Sequence, residues 1–151
     1  MRTFDERLTP PWWLWAISEG LVALLALSFY VALGPAAGAA VLLVFGGALA
    51  WVLVTAAASV TVQGEILTAG PAHIPVSALG PVDVLDTEQA RALRGPESDP
   101  AGYHLIRGWV RAGVRATVVD PLDPTPYWFV ATRRPAALAA AIEAARTGAT
   151  G

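Results

Sequence analysis

Four side chains that share one parity are the best equipped for chemistry. Arg107, Trp109, Arg111 and Arg115 fall at odd positions in the run from His104 to Val118, and Arg133 and Arg134 follow the aromatic triplet Tyr127, Trp128 and Phe129. Guanidinium groups grip phosphate and carboxylate oxygens through forked N–H donors. Indole rings favour the headgroup level of a bilayer. Arg107, Trp109, Arg111, Arg115, Tyr127, Trp128, Arg133 and Arg134 therefore form a candidate surface for anionic lipid or a protein partner. The opposing reading is a solvated face paired to acids, since residues 60–151 hold 8 arginines against 9 aspartates and glutamates. That balance excludes the broad basic field that nucleic acid requires.

Other ionisable groups carry less. Glu19 is the one formal charge between Trp13 and Leu33. A carboxylate inside an apolar span is a functional-site candidate by default. In an antiparallel hairpin its level on the second helix falls near Trp51 and Thr55, both able to donate. A hydrogen-bonded carboxyl near one interface explains it as well. Asp120 and Asp123 in DPLDP could hold a hard cation or act as acid and base, yet Asp beside Pro also builds turns by bonding to nearby backbone. His73 and His104 lie far apart, with no HExxH spacing. There is no cysteine, which removes thiolate metal sites. No metal, cofactor or catalytic residue is assigned.

The elements that must position these groups fall into two halves. Hydrophobic residues make up 55% of the 151, charged residues 15%, and mean hydropathy is +0.52. That is too apolar for an ordinary soluble domain. The runs from Trp13 to Leu33 and from Ala36 to Ser59 are each long enough, at 1.5 Å rise, to cross a ~30 Å hydrocarbon core. Gly34-Pro35 between them ends one helix and opens the next. Small residues Gly38, Gly46, Gly47 and Ala50 allow close helix approach. Trp12, Trp13 and Trp15 resemble an aromatic belt. The AAGA run near position 37 is loosely cleavage-like, but the apolar stretch before it exceeds a signal-peptide core. Arg2 and Arg7 precede the first span, the loop has no basic residue, and the other eight arginines follow the second. The positive-inside rule then puts both termini in the cytoplasm.

The second half reads as short strands. SVTVQ and EILTAG flank Gly64 as a hairpin, and AHIPV and PVDVLD follow. TEQARALRG reads as a short helix capped by Thr87 and ended by Gly95. GPESDPAG is turn-forming. The alternation from His104 to Val118 predicts strand, folded into a hairpin at Ala112-Gly113. YWFVAT returns as a strand, with its aromatics read mainly as packing. RPAALAAAIEAAR is a helix with Leu138, Ala141, Ile142 and Ala145 on one face.

RGWVRAGVRATVVDPLDPTPYWFVATRRPAALAAAI, with the N-terminal DERLTPPWW segment, resembles an actinobacterial family of uncharacterised small membrane proteins, domain of unknown function 3093. The resemblance covers nearly the whole chain. The strand followed by TRRPxxLxxAI is also similar to bacterial pleckstrin-homology-like domains, which implies a C-terminal helix capping a curved sheet. Neither resemblance supplies functional residues.

The expectation is an α+β membrane protein. It has a cytoplasmic N-terminal segment (1–11), a two-span transmembrane helical hairpin (12–59), a cytoplasmic pleckstrin-homology-like domain (60–147) built as a small antiparallel β-sheet or open barrel, and a disordered tail (148–151). The expected location is the cell membrane. The expected function is a noncatalytic membrane-anchored interaction module, adaptor or scaffold, binding a protein partner, a second copy or anionic lipid. The alternative is an enzyme, or an accessory subunit of one, acting on a membrane-bound substrate.

Overall fold

The computed structural model describes residues 2–148. The chain divides into two units, one running from Thr9 to Ala57, the other joining the N-terminal residues through Leu8 to the chain from Ala58 onward.

The first unit is a helical hairpin of α1 (Trp12–Leu33) and α2 (Pro35–Thr55). Its turn is the single residue Gly34, at φ 93°, a left-handed value that a side chain would strain. The Gly34 N–H donates to the Tyr30 carbonyl at 2.9 Å. Close helix approach is fixed at Gly38, where an added Cβ would meet Tyr30 Cβ at 2.7 Å and the Ala26 carbonyl oxygen at 3.0 Å. Both helices are long and apolar enough to cross a membrane.

The second unit is α+β, with two four-stranded sheets and a C-terminal helix. The first sheet is an antiparallel meander of β1 (Arg2–Leu8), β2 (Ala58–Gln63), β3 (Ile66–Ala69) and β4 (Ala72–Pro75), with the expected turn at Gly64. Leu8 pairs with Ala58 in the register of β1 and β2. The N-terminal segment expected to stand apart (1–11) therefore supplies an edge strand, and the hairpin is inserted between two hydrogen-bonded neighbours. Its alternation is masked in the sequence because the inward positions are Phe4, Glu6 and Leu8, and the middle one is charged.

The second sheet runs in the order β5 (Leu79–Leu85), β7 (Gly113–Val118), β8 (Tyr127–Ala131), β6 (Tyr103–Leu105). β6 pairs with β8 in parallel. The strands expected as a small antiparallel sheet or open barrel are divided between these two four-stranded sheets. The hairpin expected at Ala112-Gly113 does not form, because β8 lies between β6 and β7 and residues 106–112 leave the ladder. Their carbonyls are used elsewhere. Arg94 donates to Val110 O at 3.1 Å and Arg111 O at 2.9 Å, and the Thr132 N–H donates to Ala112 O at 3.2 Å.

Between β5 and β6 lies α3 (Thr87–Arg94). Asp86, not Thr87, is its cap. The Asp86 carboxylate accepts from Gln89 N–H at 2.9 Å, and the Gln89 side chain accepts from Asp86 N–H at 3.0 Å. This reciprocal arrangement satisfies two backbone donors. The last element, α4 (Pro135–Gly148), buries Leu138, Ala141 and Ile142 and packs against β1, β2, β5 and β7. Of the tail expected at 148–151, Gly148 ends this helix and the rest lies outside the described residues.

Candidate anion-binding cleft

The eight candidate surface residues do not form one surface. Tyr127 and Trp128 are only 3% and 5% exposed, because β8 is an interior strand covered on both faces. The Trp128 ring lies 4.3 Å from that of Tyr103. The Tyr127 hydroxyl accepts from Asp99 N–H at 3.0 Å and lies 3.0 Å from His104 Nε2, while His104 Nδ1 lies 3.0 Å from Gly102 O. Both aromatics are thus parts of the core, not of a binding face.

Arg133 and Arg134 belong to the junction between β8 and α4. The Arg133 N–H donates to the Glu6 carboxylate at 3.1 Å. The Arg134 N–H donates to Thr132 Oγ1 at 3.1 Å, and its guanidinium reaches Asp5 O at 2.7 Å while covering the Phe4 ring at 4.8 Å. DERL and TRRP, at opposite ends of the sequence, meet here.

The remaining four are divided by the break in the ladder. Arg115 sits on β7, with its guanidinium 4.8 Å from the Tyr127 ring centre, and lines a cleft of about 510 Å³ with Leu85, Glu88, Gln89, Ala92, Leu93 and Glu97. Arg107 and Trp109 are half-buried in loop 106–112. Arg107 donates to Ile106 O at 2.7 Å, but its Nε and the Trp109 indole N–H are buried without a partner. Loop 106–112 begins beside the end of the domain where the chain departs and returns. There the Tyr103 hydroxyl donates to Ala69 O at 2.7 Å, Leu105 Cδ1 lies 3.0 Å from the position of a Gly70 Cβ, and Gly70 N–H donates to Ser59 O at 2.8 Å.

Arg111 joins a different pair. With Arg91 and Arg94 of α3 it lines a cleft of about 360 Å³, completed by Thr87, Glu88 and Gly108. Arg94 is the organiser. It spends three donors on the carbonyls of Ala90, Val110 and Arg111, which fixes the loop to the helix. Sequence reasoning missed Arg91 and Arg94. Their i, i+3 spacing on a short helix was the available signal.

The other polar candidates resolve locally. Glu19 faces α2 at Gly46, with its carboxylate 3.4 Å from the position of a Gly46 Cβ. Gly46 is five residues nearer the turn than Trp51, the nearer of the two expected partners. Thr55 donates to its own helix, to Trp51 O at 2.9 Å and Val52 O at 3.1 Å. Asp120 accepts from Leu122 N–H and Asp123 from Thr125 N–H, each at 2.9 Å. Bonds from Thr125, side chain first and backbone second, hold the Asp123 carboxyl below its usual range. The two turns present Leu122 at 91% exposure. His73 is exposed on β4. Among the described residues no group of three or more His, Cys, Asp or Glu is placed to hold a metal.

The model of one family, described as Protein of unknown function (DUF3093), matches residues 3–142. No curated protein and no solved structure matches the chain.

Proposed function

We propose that this chain, which belongs to the DUF3093 family of proteins of unknown function, is a noncatalytic membrane-anchored interaction module. α1 and α2 would span the cell membrane with both termini cytoplasmic, and the two-sheet unit would be a pleckstrin-homology-like domain at the inner face. One observation carries the reading. Leu8 and Ala58, through which the chain enters and leaves the apolar hairpin, are paired neighbours in one sheet. The anchor is therefore built into the folded domain and not attached through a long flexible linker.

Two further features support it. Only 11% and 17% of the most apolar stretches of α1 and α2 are buried within the protein, unlike the core helices of a soluble domain. The two connecting segments, Thr9–Pro11 and Ala56–Ala57, are only three and two residues long. Loop 106–112, with Arg107, Trp109 and Arg111, begins at the same end of the domain. It is the surface best suited to anionic headgroups, where each arginine gains about 1 kcal/mol. Fusing topology reporters at residue 1, at the 34–35 turn and at residue 151 tests the anchor. Both ends should report the cytoplasm and the turn the outside, whereas termini on opposite sides would overturn the hairpin.

A further inference from the structure

We propose that the cleft between α3 and loop 106–112 binds a phosphoryl group, as an ester or as free phosphate, through Arg91, Arg94 and Arg111. The inference rests on reading the domain as a binding module, and supplies the chemistry of its ligand.

Three guanidinium groups line this cleft of about 360 Å³ against the single carboxylate of Glu88. Gathering like charges is unfavourable without a compensating anion. Glu88, the one acid that lines the cleft, offsets at most one of the three charges. Among the described residues, neither Arg91 nor Arg111 pairs with a carboxylate. Asp86, next to the cleft in sequence, has one carboxylate oxygen, Oδ1, engaged in the α3 cap.

The geometry is prepared in advance. Arg94 uses three of its five N–H donors on backbone carbonyls, so its plane is fixed and two donors remain. The Arg111 carbonyl is one of those it holds, which positions the backbone that carries the Arg111 side chain. Arg91 stands one turn before Arg94 on the same helix. Gly108 completes the wall without a side chain, and nothing lies within 4 Å of where its Cβ would be, so the mouth is open. A tetrahedral phosphoryl group offers several oxygens to several planar forks at once, and its charge suits an arginine excess better than a carboxylate does.

Titration of the full chain with inorganic phosphate tests this, following arginine side-chain NMR signals and binding heat. The chain would be held in nanodiscs of phosphatidylcholine, with chloride and acetate at matched ionic strength as controls. Saturable binding of phosphate, at least tenfold tighter than acetate, is expected. The Arg91→Gln/Arg111→Gln double variant should lose at least tenfold in phosphate affinity while melting at an unchanged temperature. Equal responses to phosphate and acetate, or equal phosphate affinity in the double variant, would overturn the proposal. Nanodiscs containing phosphatidylglycerol separate the sources. Weakened binding of free phosphate there identifies a lipid headgroup as the ligand, and unchanged binding identifies a soluble phosphate or its ester. Detergent-solubilised chain answers the phosphate question whatever the reporter fusions show, so the cleft and the anchor fail independently.

Discussion

The Thr132 hydroxyl donates to the carboxylate of Glu6, a residue 126 positions away, and so joins the exit of the last strand to the first strand. The same carboxylate accepts from Arg133 N–H at 3.1 Å, and Thr132 Oγ1 accepts in turn from Arg134 N–H at 3.1 Å. Both side chains are buried.

Removing one partner leaves the other donors stranded, at about 1–3 kcal/mol for each buried group. Glu6→Ala should therefore destabilise the domain by about 2 kcal/mol or more, and Glu6→Gln by less because one acceptor oxygen survives. In a denaturant double-mutant cycle, Glu6→Ala and Thr132→Val should couple by about 0.5–3 kcal/mol. Strict additivity would mean that the bond carries no net weight.

The pairing of Leu8 with Ala58 predicts a soluble form of the domain. Antiparallel partners lie about 4.5–5.5 Å apart, a gap that a two-residue turn closes. Replacing residues 9–57 with Asn-Gly should yield a detergent-free protein that melts cooperatively. Residues 60–151 alone lack β1 and should not. Comparable melting of the two would show that β1 is dispensable.

Side chains of similar hydrophobicity should differ sharply by position. Phe129 is fully buried on β8, so Phe129→Ala should cost about 3–5 kcal/mol. Leu122 is presented to solvent by the Asp120 and Asp123 turns, and Leu122→Ala should stay within about 0.5 kcal/mol. Chemical denaturation distinguishes the two directly.

Burial raises the Tyr103 hydroxyl above its ordinary value of 10.0, while the nearby Arg107 charge and a backbone hydrogen bond partly oppose the shift. The folded state then holds this proton more tightly than the unfolded chain. Its contribution to stability is complete below pH 10.0 and is lost as pH rises from there through the folded value. Tyr103→Phe should flatten this alkaline loss in a pH series of melts. It also deletes the bond to Ala69 O, so its stability near pH 7 should fall by about 1 kcal/mol. An unchanged alkaline slope would remove Tyr103 as its source.

The sequence made some parts of this fold legible and concealed others for physical reasons. Apolar runs, the Gly34-Pro35 break and the facing positions of Leu138, Ala141 and Ile142 are local signals, and they located α1, α2 and α4. Strand partners are nonlocal. The alternation from His104 to Val118 held no sign that β8 would lie between its two ends, nor that Arg94 would claim the carbonyls of Val110 and Arg111. The arginine row was consequently read as continuous, whereas Arg111 faces α3 and Arg115 lies against Tyr127. β1 was hidden because its inward-facing Glu6 looks like a surface residue until Thr132 is seen beside it.

The interrupted β1–β2 pair also dictates an order of events during synthesis. The ribosome releases β1 first, then both apolar helices, and only afterwards the strand that pairs with β1. At about 5–20 residues per second, Thr132 follows after on the order of ten seconds. Until β2 emerges, β1 lacks its sheet partner and is open to wrong ones. The hairpin is complete before the domain can close, and nascent chains that stop short of Thr132 lack the side chain that holds Glu6.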